Sequence, residues 1–215
     1  QPGTDARLQQ VVTLTRGDLT VRAGEAQLVR SGDAAQIIAS GDVRASNPQG
    51  NVRARQVNWG GGRVTAQNVT LEKDGNTLRG NRLESDDKFQ NATLSGNVNG
   101  KMANGQTVAA GIVHLRGETL LAENGVSGRR GNVRLTAAKL EATRNGKNVV
   151  LTGGVTLRSD DGIVARAPQA RYDRAAGKIY ASGGVTISDP QRGEQRGRTL
   201  VADLNLKEAV LTDVQ

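Results

Sequence analysis

The chain repeats one phrase at an almost fixed interval, and that repeat restricts its fold more than any other feature. Residues 149–162, VVLTGGVTLRSDDG, are followed by IYASGGVTISDPQRG, residues 179–193. A constant shift of thirty residues pairs Gly153 with Gly183, Gly154 with Gly184, Val155 with Val185, Thr156 with Thr186 and Leu157 with Ile187. The mark of the repeat is a small residue, Gly or Asn just before a branched apolar residue. It recurs at Val43, Val69, Val98, Val126, Val155, Val185 and Val214, with spacings of 26, 29, 28, 29, 30 and 29. A weaker copy at Leu19 precedes Val43 by 24 residues. Near-constant spacing of this kind makes the repeat the architecture itself.

Each interval holds two segments with period-two alternation, the period of a pleated strand. Around residue 150 the pattern places Val149, Leu151, Gly153, Val155 and Leu157 on one face and Val150, Thr152, Gly154 and Thr156 on the other. After the turn at 159–162, a second segment carries Ile163, Ala165 and Ala167 on one side. No window of eleven residues keeps apolar groups at helical spacing without a glycine interruption. The expectation is an all-β fold of about 14–16 antiparallel strands built from units of roughly 29 residues. Turns are expected at DGN, SDD, RNGK, DRAAG and DPQRG. No linker or shift in composition divides the chain, so a single domain over 1–215 is expected. Only 2% of the 215 residues are aromatic, so the inward face should be made of small and branched aliphatics.

Several function classes lose support at this level. With no cysteine there is no disulfide framework, thiolate metal site or cysteine nucleophile. One histidine and no cysteine leave no transition-metal ligand set, and no cofactor motif is present. His114 stands in an alternating strand without a triad phrase around it, and the acid pairs Asp86–Asp87 and Asp160–Asp161 fall in turns, where Asp bonds its own backbone. No catalytic residue is expected, and the protein is read as non-enzymatic. The net charge of +8, carried by 22 Arg against 7 Lys, is compatible with an anionic partner. Nucleic acid is disfavoured as that partner because Trp59, Phe89, Tyr172 and Tyr180 are too scattered to form a stacking platform. Trp59 reads as a local cap at a strand end. The tripeptide Arg16-Gly17-Asp18 is expected by chance in a chain so rich in Arg and Gly. There is no apolar run of eighteen residues. The polar start QPGTDAR reads as what remains after removal of a signal or anchor.

The phrase VVLTGGVTLRSDDGIVARAPQARYDRAAGKIYASGGVTIS resembles the repeating phrase of the OstA-like family of lipopolysaccharide-transport proteins. Leu151, Gly153 and Val155 supply the family's L-x-G-x-V strand end. Ala167, Ala170, Tyr172 and Asp173 supply its A-x-x-A-x-Y-D segment. The likeness is strongest from about residue 92 onward and weaker over 1–40. The resemblance implies a single twisted, open β-jelly roll in the periplasm of a diderm bacterium, holding acyl chains of lipopolysaccharide or another envelope glycolipid or phospholipid. The groove would be lined by Val149, Leu151, Val155, Leu157, Ala165, Ala181, Val185 and Ile187. The same residues would equally well pack on one another as an ordinary core. An open sheet also has unpaired edges, and the terminal segment with Ala209, Leu211 and Val214 would pair with another copy or a related transport subunit. The alternative is a β-solenoid acting as a structural spacer or adhesion protein.

Overall fold

A computed structural model describes residues 3–16, 18–31, 34–48, 50–143 and 148–214. The RNGK turn, Gly17 and the first two residues of the polar start lie outside them. All described regular structure is antiparallel β, as the alternation implied, in two compact units, Gln1–Ala103 and Asn104–Gln215. In the first, seven strands form a meander: β1 (Gly3–Arg16), β2 (Leu19–Ser31), β3 (Ala34–Asn47), β4 (Gly50–Gly60), β5 (Arg63–Lys73), β6 (Asn76–Asp86) and β7 (Asn91–Lys101). The second contains β8 (Thr107–Arg116), β9 (Thr119–Glu123), β10 (Val126–Arg130), β11 (Val133–Ala137), β12 (Lys139–Thr143), β13 (Asn148–Ser159), β14 (Val164–Asp173), β15 (Lys178–Asp189), β16 (Gly193–Asp203) and β17 (Ala209–Thr212). β8 pairs with both β9 and β10, and β13 with both β11 and β12. Each of these short pairs is therefore one bent strand interrupted at its bend, which accounts for a count of seventeen strands.

The bends explain the repeat. In β13 the register slips between Thr152 and Val155, so Gly153 and Gly154 together face one position of β14. Two residues opposing one is a β-bulge, which bends the strand. Both glycines have left-handed φ, 78° and 80°. The same left-handed pair occurs at Gly41–Asp42, Gly96–Asn97, Asn124–Gly125 and Gly183–Gly184, where glycine, Asn or Asp tolerates it. Leu151 and Val155 both face inward across the bend, four residues apart. On the neighbouring strand the inward residues are Ala167 and Ala170, three apart, with exposed Pro168 and Gln169 between them. Four-residue corners on β3, β7, β13 and β15 stand beside three-residue corners on their neighbours, while β4, β5 and β6 all turn in three residues. The alternation expected straight through Gly153 and Gly154 is replaced by this corner.

Six of the marking valines, Val43, Val69, Val98, Val126, Val155 and Val185, sit just past a corner and are 1–2% exposed. Val214 departs from the pattern at 63% exposed, because β17 ends at Thr212 and Asp213 turns the chain with φ 52°.

Turn chemistry follows the sequence at the β14–β15 hairpin. The Asp173 carboxylate accepts the backbone N–H of Ala175 at 3.0 Å and of Ala176 at 3.1 Å. The Ala176 bond first, then that of Ala175 and the nearby Arg171 guanidinium, outweigh the desolvation that opposes them and hold this carboxyl below its ordinary value. A depressed carboxylate contributes stability that is complete above the unfolded value of about 3.9 and is lost as pH falls through the lower folded value. Asp173→Asn is therefore expected to flatten the acid limb of thermal stability below about pH 4. Identical acid limbs for the two proteins would refute this role.

Candidate functional site

The residues expected to line a groove lie in the second unit, and most of them pack against each other. Leu151, Val155, Leu157, Ala165, Ala181 and Val185 are buried in one cluster with Leu200, and Ile187 packs against its edge. Val149 is half-buried and lies outside that cluster. Register explains the filling. Leu140, Leu151, Ala170, Ala181, Leu200 and Leu211 form one inward row across six strands, and Leu135, Leu157, Ala165 and Ile187 form another. Large and small side chains share each row, and together they make up one buried cluster.

The first unit is built differently. Small residues ring its corners, with Ala23, Ala26, Ala39, Ala54 and Ala66 all buried. They let the two sides of each bent strand meet closely there, around Val43. Further from the corner the walls carry larger side chains and separate, leaving a pocket of about 460 Å³. One wall presents Leu14 and Val21, which are paired across β1 and β2. The opposite wall presents Leu28, Ile37 and Trp59, in register across β2, β3 and β4. Ala35, the Gly60–Gly62 turn and Asp87 form its rim, and the Asp87 N–H donates to the Gly62 carbonyl at 3.1 Å. The volume falls within the roughly 300–1,000 Å³ of small-molecule sites, and the walls are apolar apart from Thr15 and that rim.

This pocket was not legible in the sequence, because it lies where the repeat is weakest and depends on how far two walls separate. Its one signal was Trp59, a large side chain in a chain of small ones. The structure places Trp59 half-buried in the pocket wall at the end of β4.

On the outer face of β13–β16 there is a recess of about 420 Å³ lined by the register row Val150, Arg171, Tyr180 and Val201. At its side the Arg171 guanidinium lies 4.8 Å from the centre of the Tyr180 ring. Glu123 is 3.9 Å from His114 on the paired strand. No group of three His, Cys, Asp or Glu side chains able to hold a metal ion occurs among the described residues.

Among the described residues β17 pairs only with β16 and β1 only with β2. Ala209 and Leu211 belong to the β17 edge, whereas Val214 lies beyond it. Leu8 and Val11 of β1 are exposed. No family model and no curated protein matches the chain.

Proposed function

We propose that the protein binds acyl chains of an envelope lipid, lipopolysaccharide or another glycolipid or phospholipid, and passes it between membranes as a periplasmic bridge. The observation that carries this reading is the pocket of the first unit, with its apolar walls formed by the inner faces of bent strands. Alkyl transfer into such a site gains about 0.8 kcal/mol per buried CH₂, so affinity needs no specific polar contact. That β1 pairs only with β2 and β17 only with β16 among the described residues supports strand pairing with another copy or a related transport subunit, since an unpaired edge is a template for β-augmentation.

A second reading, a non-enzymatic structural spacer, is favoured by the filled interior of the second unit. The two separate on Trp59, the only tryptophan, which stands in the pocket wall. On titration with lipopolysaccharide or a short-chain phospholipid below its micellar concentration, its emission is expected to shift to shorter wavelength and saturate. Ala35→Phe projects a ring into the pocket from an exposed rim position and is expected to weaken this binding about tenfold, the equivalent of two buried CH₂ groups. An unresponsive Trp59, or equal affinity in the variant, favours the spacer.

A further inference from the structure

Strand register sets arginines side by side on the outer face of the first unit. Arg22 of β2 lies directly opposite Arg44 of β3, and Arg44 lies opposite Arg53 of β4. The row continues through Thr70 of β5 to Arg79 of β6, and Thr13 of β1 stands at its other end. All four arginines are exposed. Neighbouring strands stand about 4.8 Å apart, so the row concentrates positive charge along a line.

Like charges directly opposite one another weaken a sheet. Only Arg44 has a carboxylate partner, Asp42 at 2.6 Å. Arg22, Arg53 and Arg79 have no ion pair among the described residues, and neither does Glu72, two residues beyond Thr70 on β5. The second unit repeats the arrangement: Arg129, Arg134 and Arg158 are opposed in turn, and Arg129 alone is paired, with Asp160 at 2.7 Å. Two rows built alike, each mostly uncompensated, argue for an external anion that completes them.

We infer that the arginine row of the first unit docks the protein on the phosphate groups of an anionic lipid bilayer. Guanidinium groups bind phosphate bidentately, and basic residues at a membrane surface add their attractions and weaken with salt. Thr13 and Thr70 complete the row, and no aromatic residue interrupts it to stack on bases, as single-stranded nucleic acid requires. The same wall carries Leu14 and Val21 on its inner side, next in sequence to Thr13 and Arg22. Phosphate outside and alkyl chain inside are the two chemistries that a lipid surface supplies together. The choice of a lipid surface over other polyanions rests on the pocket reading.

Cosedimentation of the full chain with phosphatidylcholine vesicles, with and without phosphatidylglycerol, tests the inference. Binding is expected only with phosphatidylglycerol, and it should fade at high salt. The triple variant Arg22→Gln, Arg53→Gln, Arg79→Gln should bind at least about tenfold more weakly. Its melting temperature at low salt without vesicles should hold or rise, because repulsion within the row is relieved. Ala35→Phe, which fills the pocket, should leave docking intact, so that failure of the row and failure of the pocket are read separately. Absence of wild-type binding, equal binding by the triple variant, or tighter binding to single-stranded DNA than to the vesicles at the same salt would overturn the docking surface.

Discussion

Replacing Gly153 by alanine is expected to destabilise the protein by about 3 kcal/mol, while the same change at Gly154 costs about 1 kcal/mol. Both glycines have left-handed φ, so both substitutions carry the backbone penalty of an L residue in that region. They differ in what the new methyl group meets. A Cβ at Gly153 would stand 2.5 Å from the Cβ of Ala138, whereas one at Gly154 meets nothing within 4 Å. Ala138 lies between β11 and β12, at the corner of the neighbouring bent strand, and its N–H donates to the Gly153 carbonyl at 3.3 Å. The clash therefore falls where two corners stack, and relief by rotamer change is not open to an alanine. Gly154→Asn should cost less than Gly154→Ala, because Asn97 and Asn68 already adopt this conformation at other corners. Chemical denaturation of the three variants gives the order directly, and equal losses at 153 and 154 would contradict the corner.

Leu200→Ala is expected to lose about 3 kcal/mol, and Ile37→Ala only about 1 kcal/mol. Leu200 is fully buried, lies opposite Ala181 and Leu211, and has small neighbours that cannot collapse into the space it would vacate. Ile37 is partly exposed and already faces the pocket, so its truncation forfeits fewer contacts and creates little new cavity. The pair therefore measures the difference between a filled interior in the second unit and an open one in the first. Losses of similar size would mean that the pocket closes in solution.

What the sequence revealed follows from the physics of each feature. The near-29-residue spacing was visible because the marked corners each place a left-handed Gly, Asn or Asp just before an inward valine, and such residues are few in kind. Val43, Val98 and Val155 could be picked out on that basis. The corner was hidden, because period-two reading runs straight through Gly153 and Gly154, and only φ shows that the two occupy one register position. The sequence left open whether Val155 and Leu157 line a groove or pack as a core, because period-two alternation fixes a face and not its neighbours; register places Ala167 and Ala165 opposite them in a buried cluster. The pocket beside Trp59 escaped notice because it is set by wall separation, which no residue states alone.

Site-specific photocrosslinking asks residue by residue whether the apolar interior of the first unit receives a lipid chain. A photoreactive amino acid is placed at Ile37, at outward-facing Gln36 and at packed Val155, in otherwise unaltered protein exposed to an envelope lipid extract. Lipid adducts are expected at Ile37 and not at Gln36 or Val155. Adducts at none of the three, or equally at Ile37 and Gln36, would contradict a lipid-receiving interior.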